Sequence, residues 1–138
     1  MCVLRVSGPG LDPSQVLART ILRADRVYRA GDPVLSARPD GRRHRRSGFS
    51  VPVVDTAPAS LHEQVAEAVA FLDRFAADIR ELQATGTVED IRLDFPVKAR
   101  AGREVAAQFE LFPAELVRKA GALGIALEIS LYPSDDEL

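Results

Sequence analysis

Between Val105 and Tyr132 the spacing of apolar and polar positions changes twice. Val105, Ala107, Phe109 and Leu111 alternate with Glu104, Ala106, Gln108 and Glu110, which predicts a half-buried strand. Leu116, Val117, Ala120 and Leu123 then share one helical stripe, opened by Pro113 and ended by Gly124. Ile125, Leu127, Ile129 and Leu131 alternate with Ala126, Glu128, Ser130 and Tyr132 in a further strand. This alternation places Leu127 and Ile129 on the helix side of the sheet, buried under the long helix of residues 61–84.

Upstream, Cys2, Leu4 and Val6 alternate with Val3, Arg5 and Ser7 in a short first strand that ends at Gly8-Pro9-Gly10. Asp12 as cap, Pro13 in the first turn and Gln15 mark a helix start, with Val16, Leu17, Thr20 and Ile21 as its narrow stripe. A brief extended piece lies around Val27 to Arg29. Residues 33–47 hold Pro33, Pro39, Asp40 and Gly41 and read as a mobile, arginine-rich loop. Gly48 to Val53 reads as a strand, interrupted or placed at an edge because of Pro52.

Asp55 to Ala59 connect to the longest helix, where Ser60 and Glu63 form a capping box. Leu61, Val65, Ala68, Val69, Leu72, Ala76, Ile79 and Leu82 keep one face as far as Thr85-Gly86. Ile91, Leu93, Phe95 and Val97 mark the next strand, and residues 99–103 predict a hairpin loop into the strand at Glu104. Residues 133–138 form an acidic tail, expected to fray.

The order is βαββαββαβ. Each helix has one apolar stripe and each strand one apolar side, which predicts an α+β fold with a single, mostly antiparallel sheet and three helices on one face. From Gly48 onward the order has ferredoxin-like elements, a split β-α-β arrangement with another βα in front.

A length of 138 residues fits one domain spanning 1–138, and 46% apolar with 28% charged residues is ordinary for a soluble globular chain. No apolar run approaches the roughly 18 residues of a membrane span, and Arg5 comes before any signal core could form. A single cysteine, Cys2, allows no internal disulfide. These features point to a cytoplasmic location. The net charge of −2 conceals an asymmetry: residues 1–50 carry ten arginines against four aspartates, +6, and the remainder carries −8. Such a split can orient a partner but says nothing about fold.

Leu11-Asp12-Pro13, Arg29-Ala30-Gly31-Asp32, the Arg42 to Phe49 segment, the long helix, and the ending from Phe109 through Leu116 and Leu123 to Tyr132 form a recognisable set. In these pieces the chain resembles a bacterial family labelled only as a domain of unknown function, number 4279. Phe49 stands where members usually carry Trp, and Phe112 where a polar helix cap would be expected. The resemblance implies a family fold and carries over no activity, cofactor or catalytic residue.

Little in the chain has the spacing of a catalytic site. His44 and His62 lack spaced ligand partners, so no metal is expected. Cys2 falls on an apolar side and reads as a buried structural thiol. Gly8-Pro9-Gly10 lacks the remaining residues of a phosphate loop. No cofactor is implied and no catalytic residue is assigned.

Two binding candidates remain. Arg42, Arg43, Arg45 and Arg46 could grip anions, although no aromatic interleaves with them and the acidic chain argues against nucleic acid. A solvated loop is the favoured reading of that run. The second candidate is the polar side of the sheet, with Arg92, Asp94, Gln108, Glu110, Glu128 and Tyr132 as interaction residues; an ordinary wet face is its plain alternative. The expected role is non-enzymatic binding of another protein, as an adaptor or immunity-type inhibitor. The alternatives are anion or nucleic-acid binding through the arginines, and an enzyme site on the open sheet face. Self-association is compatible with either binding role.

Overall fold

In the computed structural model, which describes residues 1–54, 60–102 and 106–133, the strand with the strictest alternation lies at the sheet's centre. This is β1 (Val3–Gly8), whose register sets Leu4 beside Val51 and Leu93, and Val6 beside Phe49 and Ile91. It is followed by α1 (Pro13–Leu17), β2 (Arg26–Tyr28), β3 (Ser47–Pro52), α2 (Leu61–Ala84), β4 (Asp90–Lys98), α3 (Ala114–Ala122) and β5 (Ala126–Tyr132). The sheet order is β2-β3-β1-β4-β5, antiparallel throughout except for the parallel β4–β5 pair. The fold is α+β, with three helices over one side of one five-stranded sheet.

That arrangement follows from the connections. β3 and β4 both run antiparallel to β1, so they are parallel to each other and α2 must cross over β1 to join them. α3 makes the second crossover, from β4 to β5. Right-handed crossovers advancing the same way put both helices on the same face. Their stripes bury Leu61, Val65, Ala68, Phe71, Leu72, Ile79 and Leu82 of α2, and Leu116 and Ala120 of α3. Beneath them lie Leu4, Phe49, Leu93 and Phe95, all fully enclosed.

The caps match the residues that announce them. Asp12 Oδ1 accepts from the Ser14 and Gln15 amides at 3.1 and 3.4 Å, and Ser60 Oγ accepts from the Glu63 amide at 3.2 Å. Gly124 takes φ +69°, which lets the chain leave α3 directly into β5. α3 starts with Pro113 as its cap residue and no side-chain cap, and the ring of Phe112 packs against Phe95 instead. α1 is only five residues long, so the stripe read as far as Ile21 stops early.

Three expectations need correction. The strand predicted over 105–111 does not form at its described residues: 106–112 carry no strand, and Phe109 and Leu111 are 89% and 77% exposed. Gln108 instead binds the backbone, its Nε2 donating to the Lys98 carbonyl and its Oε1 accepting from the Arg100 amide. A polar side chain that satisfies nearby backbone competes with ladder formation, and β5 takes the edge of β4 directly. Without that strand the hairpin at 99–103 is not made at its described residues, and the strand order is not the ferredoxin-like one. β3–α2–β4, with β1 between its strands, is nonetheless a split β-α-β unit. Finally, Leu127 is only half-buried and Ile129 is 38% exposed, because β5 is an edge strand under α3 and not under the long helix. The readings made for Asp55–Ala59, for Arg103–Val105 and for the tail from residue 134 lie outside the described residues.

Cys2 is fully buried as its side of the alternation requires, and burial, aided by the charge of Asp94, pushes its thiol up from 9.0 to about 12. The unfolded chain therefore releases this proton first. Stability is undiminished below pH 9.0 and falls as pH rises across the window to about 12. The folded protein is expected to resist iodoacetamide at about pH 8 and to alkylate fully once unfolded, because only an accessible thiolate reacts. Mass spectrometry across a urea series checks this; rapid labelling without urea would mean that the first strand is not seated.

Candidate functional site

On the sheet face away from the helices, like charges stand in register, Arg5 against Arg92 and Asp94 against Glu128, and opposite charges meet on the diagonals. Arg5 on β1 lies beside Ser50 on β3, and Asp94 on β4, in register with Val3, lies two residues along. Asp94 is 4% exposed; its Oδ2 accepts from Arg5 Nε and Nη2 at 3.2 and 3.0 Å, and its Oδ1 accepts from Ser130 Oγ. Arg5 Nη1 also donates to Ser50 Oγ at 3.4 Å. Arg92, directly opposite Arg5, donates to Asp90 and, at 2.6 Å, to Glu128 Oε2. Those two carboxylates raise the guanidinium above its ordinary value, Asp90 foremost. The face is thus a compensated network. Partly exposed pairs of this kind contribute little each, whereas the enclosed Asp94 would be costly to leave alone.

Of the six residues proposed for this face, the fold gathers Arg92, Asp94 and Glu128. Tyr132 sits at the far end of β5 beside Lys98, 53% exposed. Gln108 and Glu110 are not on the sheet; both bind Arg100, and Gln108 Nε2 also donates to Glu110 at 2.9 Å. Among the described residues no group of three or more His, Cys, Asp or Glu could hold a metal ion.

The arginine run behaves differently from an open loop. Its backbone forms a small hairpin: Gly31 donates to the His44 carbonyl, His44 to Asp32 and Val34 to Arg42, each at 2.8 Å. Arg43 turns inward and donates to the carbonyls of Gly31 and Pro39, and Arg46 pairs with Glu89 at 2.7 Å. The side chains of Arg42 and Arg45 have no partner among the described residues. Two of the four, Arg43 and Arg46, are thus committed to contacts within the chain. The sequence showed no aromatic within the run, but the fold supplies one: Tyr28 stacks on His44 with ring centres 4.0 Å apart. His44 Nε2 is enclosed there without a hydrogen-bond partner.

A pocket of about 550 Å³ lies between the α1–β2 connection, β3 and the middle of α2, where Phe75 departs from helical geometry. Its lining was not legible because it joins three distant stretches, among them Leu22, Val53 and Phe71. Arg23 and Arg74 share the lining with Asp25, so it presents no single sign of charge.

The β5 edge is a further departure from a satisfied surface. Among the described residues β5 pairs on one side only, with β4. Ile129, Leu131 and Tyr132 on it are 38%, 68% and 53% exposed, and Val117 on α3 is 49% exposed. The opposite edge, β2, is three residues long and begins with Arg26. Short, charged edges resist unwanted pairing; the seven residues of β5 contain one charge, Glu128, and no proline. Sequence alternation could find the strand but not its uncovered side.

Across these residues, a family model described as Domain of unknown function (DUF4279) matches residues 1–134. No curated protein and no solved structure matches the chain. Among the described residues no helix is long and apolar enough to cross a membrane.

Proposed function

The chain belongs to the DUF4279 family, and we propose that it serves as a non-enzymatic protein-binding module that docks its partner along β5. The observation that carries this reading is the unpartnered, seven-residue edge with Leu131 and Tyr132 largely exposed. An extended edge offers backbone donors and acceptors at every second residue, and adjacent apolar side chains add specificity. The polar face supports the role differently. Its charges already answer one another, so it holds the strands in register and leaves recognition to the rim.

The reading is tested by quantitative capture from the native host with tagged wild type, Ile129→Lys, and an Arg42→Ser/Arg45→Ser variant. An inserted edge lysine is expected to lower the retained partner by about tenfold, since a charge there opposes strand addition. The arginine variant should retain it. Loss with the arginine variant alone would transfer the function to anion binding through Arg42 and Arg45.

A further inference from the structure

Resting on that reading, we infer that the partner of the β5 edge is a second copy of this chain, added antiparallel about a twofold axis at Ile129. The hydrogen-bonding direction of the strand sets the register. Tyr132 turns its carbonyl toward β4, where it accepts from the Ala99 amide at 2.8 Å. Strand residues alternate the edge they address, so Ala126, Glu128 and Ser130 also point inward, and Leu127, Ile129 and Leu131 present N–H and C=O to the free edge. Among the described residues no other strand pairs with that edge.

A twofold axis at Ile129 uses all three. Ile129 meets its own copy, Leu127 meets the partner copy's Leu131, and Leu131 its Leu127. All three are hydrogen-bonded positions, giving roughly six ladder bonds. Their side chains lie on the helix side, so the same register sets leucine against leucine and isoleucine against isoleucine. On the other face, Glu128 falls opposite Ser130 and Ala126 opposite Tyr132, so no like charges meet and a small residue lies against a large one. Glu128 keeps its bond to Arg92 of its own chain. Moving the axis to Glu128 would set the two glutamates against each other, and moving it to Ser130 would leave only Ile129 and Leu131 to pair within the strand. Twofold pairing also closes the assembly, so the exposed edge is consumed.

The axis can be trapped chemically. Across a hydrogen-bonded pair the Cα atoms lie about 5.5 Å apart, within disulfide range. Ile129→Cys is expected to form a covalent dimer under mild oxidation, with Cys2 silent because it is fully buried. Leu127→Cys and Leu131→Cys should each stay monomeric alone, since each residue lies about 13 Å along the strand from its own copy. Mixed together they should cross-link. Light scattering on wild type at about 100 µM should give twice the chain mass, and on Ile129→Lys the single mass.

A wild type that is monomeric in light scattering, with Ile129→Cys uncoupled, overturns the second copy as partner. If capture from the host still fails with Ile129→Lys, the edge instead binds a different protein and the docking role stands. If capture is indifferent to that lysine, both fall. A dimer that persists in Ile129→Lys would place self-association on another surface and also overturn the proposal.

Discussion

Replacing Phe95 by alanine is expected to lower folding stability by about 3–5 kcal/mol, the range for emptying a fully enclosed aromatic site. Phe95 is 0% exposed on β4, beside Ile129 of β5. Its ring centre lies 5.0 Å from that of Phe112 at a 53° tilt, an arrangement that adds attraction beyond the area buried. Phe112 immediately precedes the cap of α3, which has no polar cap of its own. Phe95 therefore anchors both the sheet and the entry to the second crossover. Urea unfolding followed by circular dichroism measures the loss. A midpoint close to that of wild type would mean that the interior beneath α3 is not packed as described.

Gly48→Ala should also be clearly destabilising, although it adds only one methyl group. A Cβ at Gly48 would lie 2.4 Å from the Val6 carbonyl oxygen and 2.5 Å from Tyr28 Oη. The carbonyl belongs to the central strand, and the ring is held by its stack on His44, so neither can withdraw cheaply. Overpacking of this kind typically costs about 1–3 kcal/mol, occasionally more, and Gly48→Val should exceed Gly48→Ala. Gly10→Ala is the matched control, because nothing lies within 4 Å of the added carbon. Thermal melts of the three variants rank these costs. Equal melting temperatures for Gly48→Ala and Gly10→Ala would disprove the close approach of Tyr28 to β3.

Features repeated over several turns or residues were legible in the sequence. The stripe of α2 and the alternation of β1 and β4 were correct because many positions agree and a packed core enforces them. The 105–111 segment failed because alternation is only a local pattern. It becomes a strand when an edge accepts it, and here β5 had the better claim on β4. Asp94 read as a wet-face residue; its enclosure depends on Arg5 and Ser130, 89 and 36 positions away. Gln64 is similarly enclosed, donating to the Pro96 carbonyl at 2.9 Å. For the candidate edge, periodicity identified the side of β5 that faces the helices. It could not show that the helices stop short of Leu131.

The placement of β1 also governs when the protein can fold. β1 precedes the other four strands of the sheet yet lies at its centre, and Val3 pairs with Pro52 on one side and with Asp94 on the other. During synthesis this apolar strand has no complete partner set until β4 has been made. Pairings so distant in sequence carry loop-closure entropy before they return any stabilisation, which slows folding relative to helical chains of similar size. During that interval Leu4 and Val6 are open to chaperones and to neighbouring nascent chains.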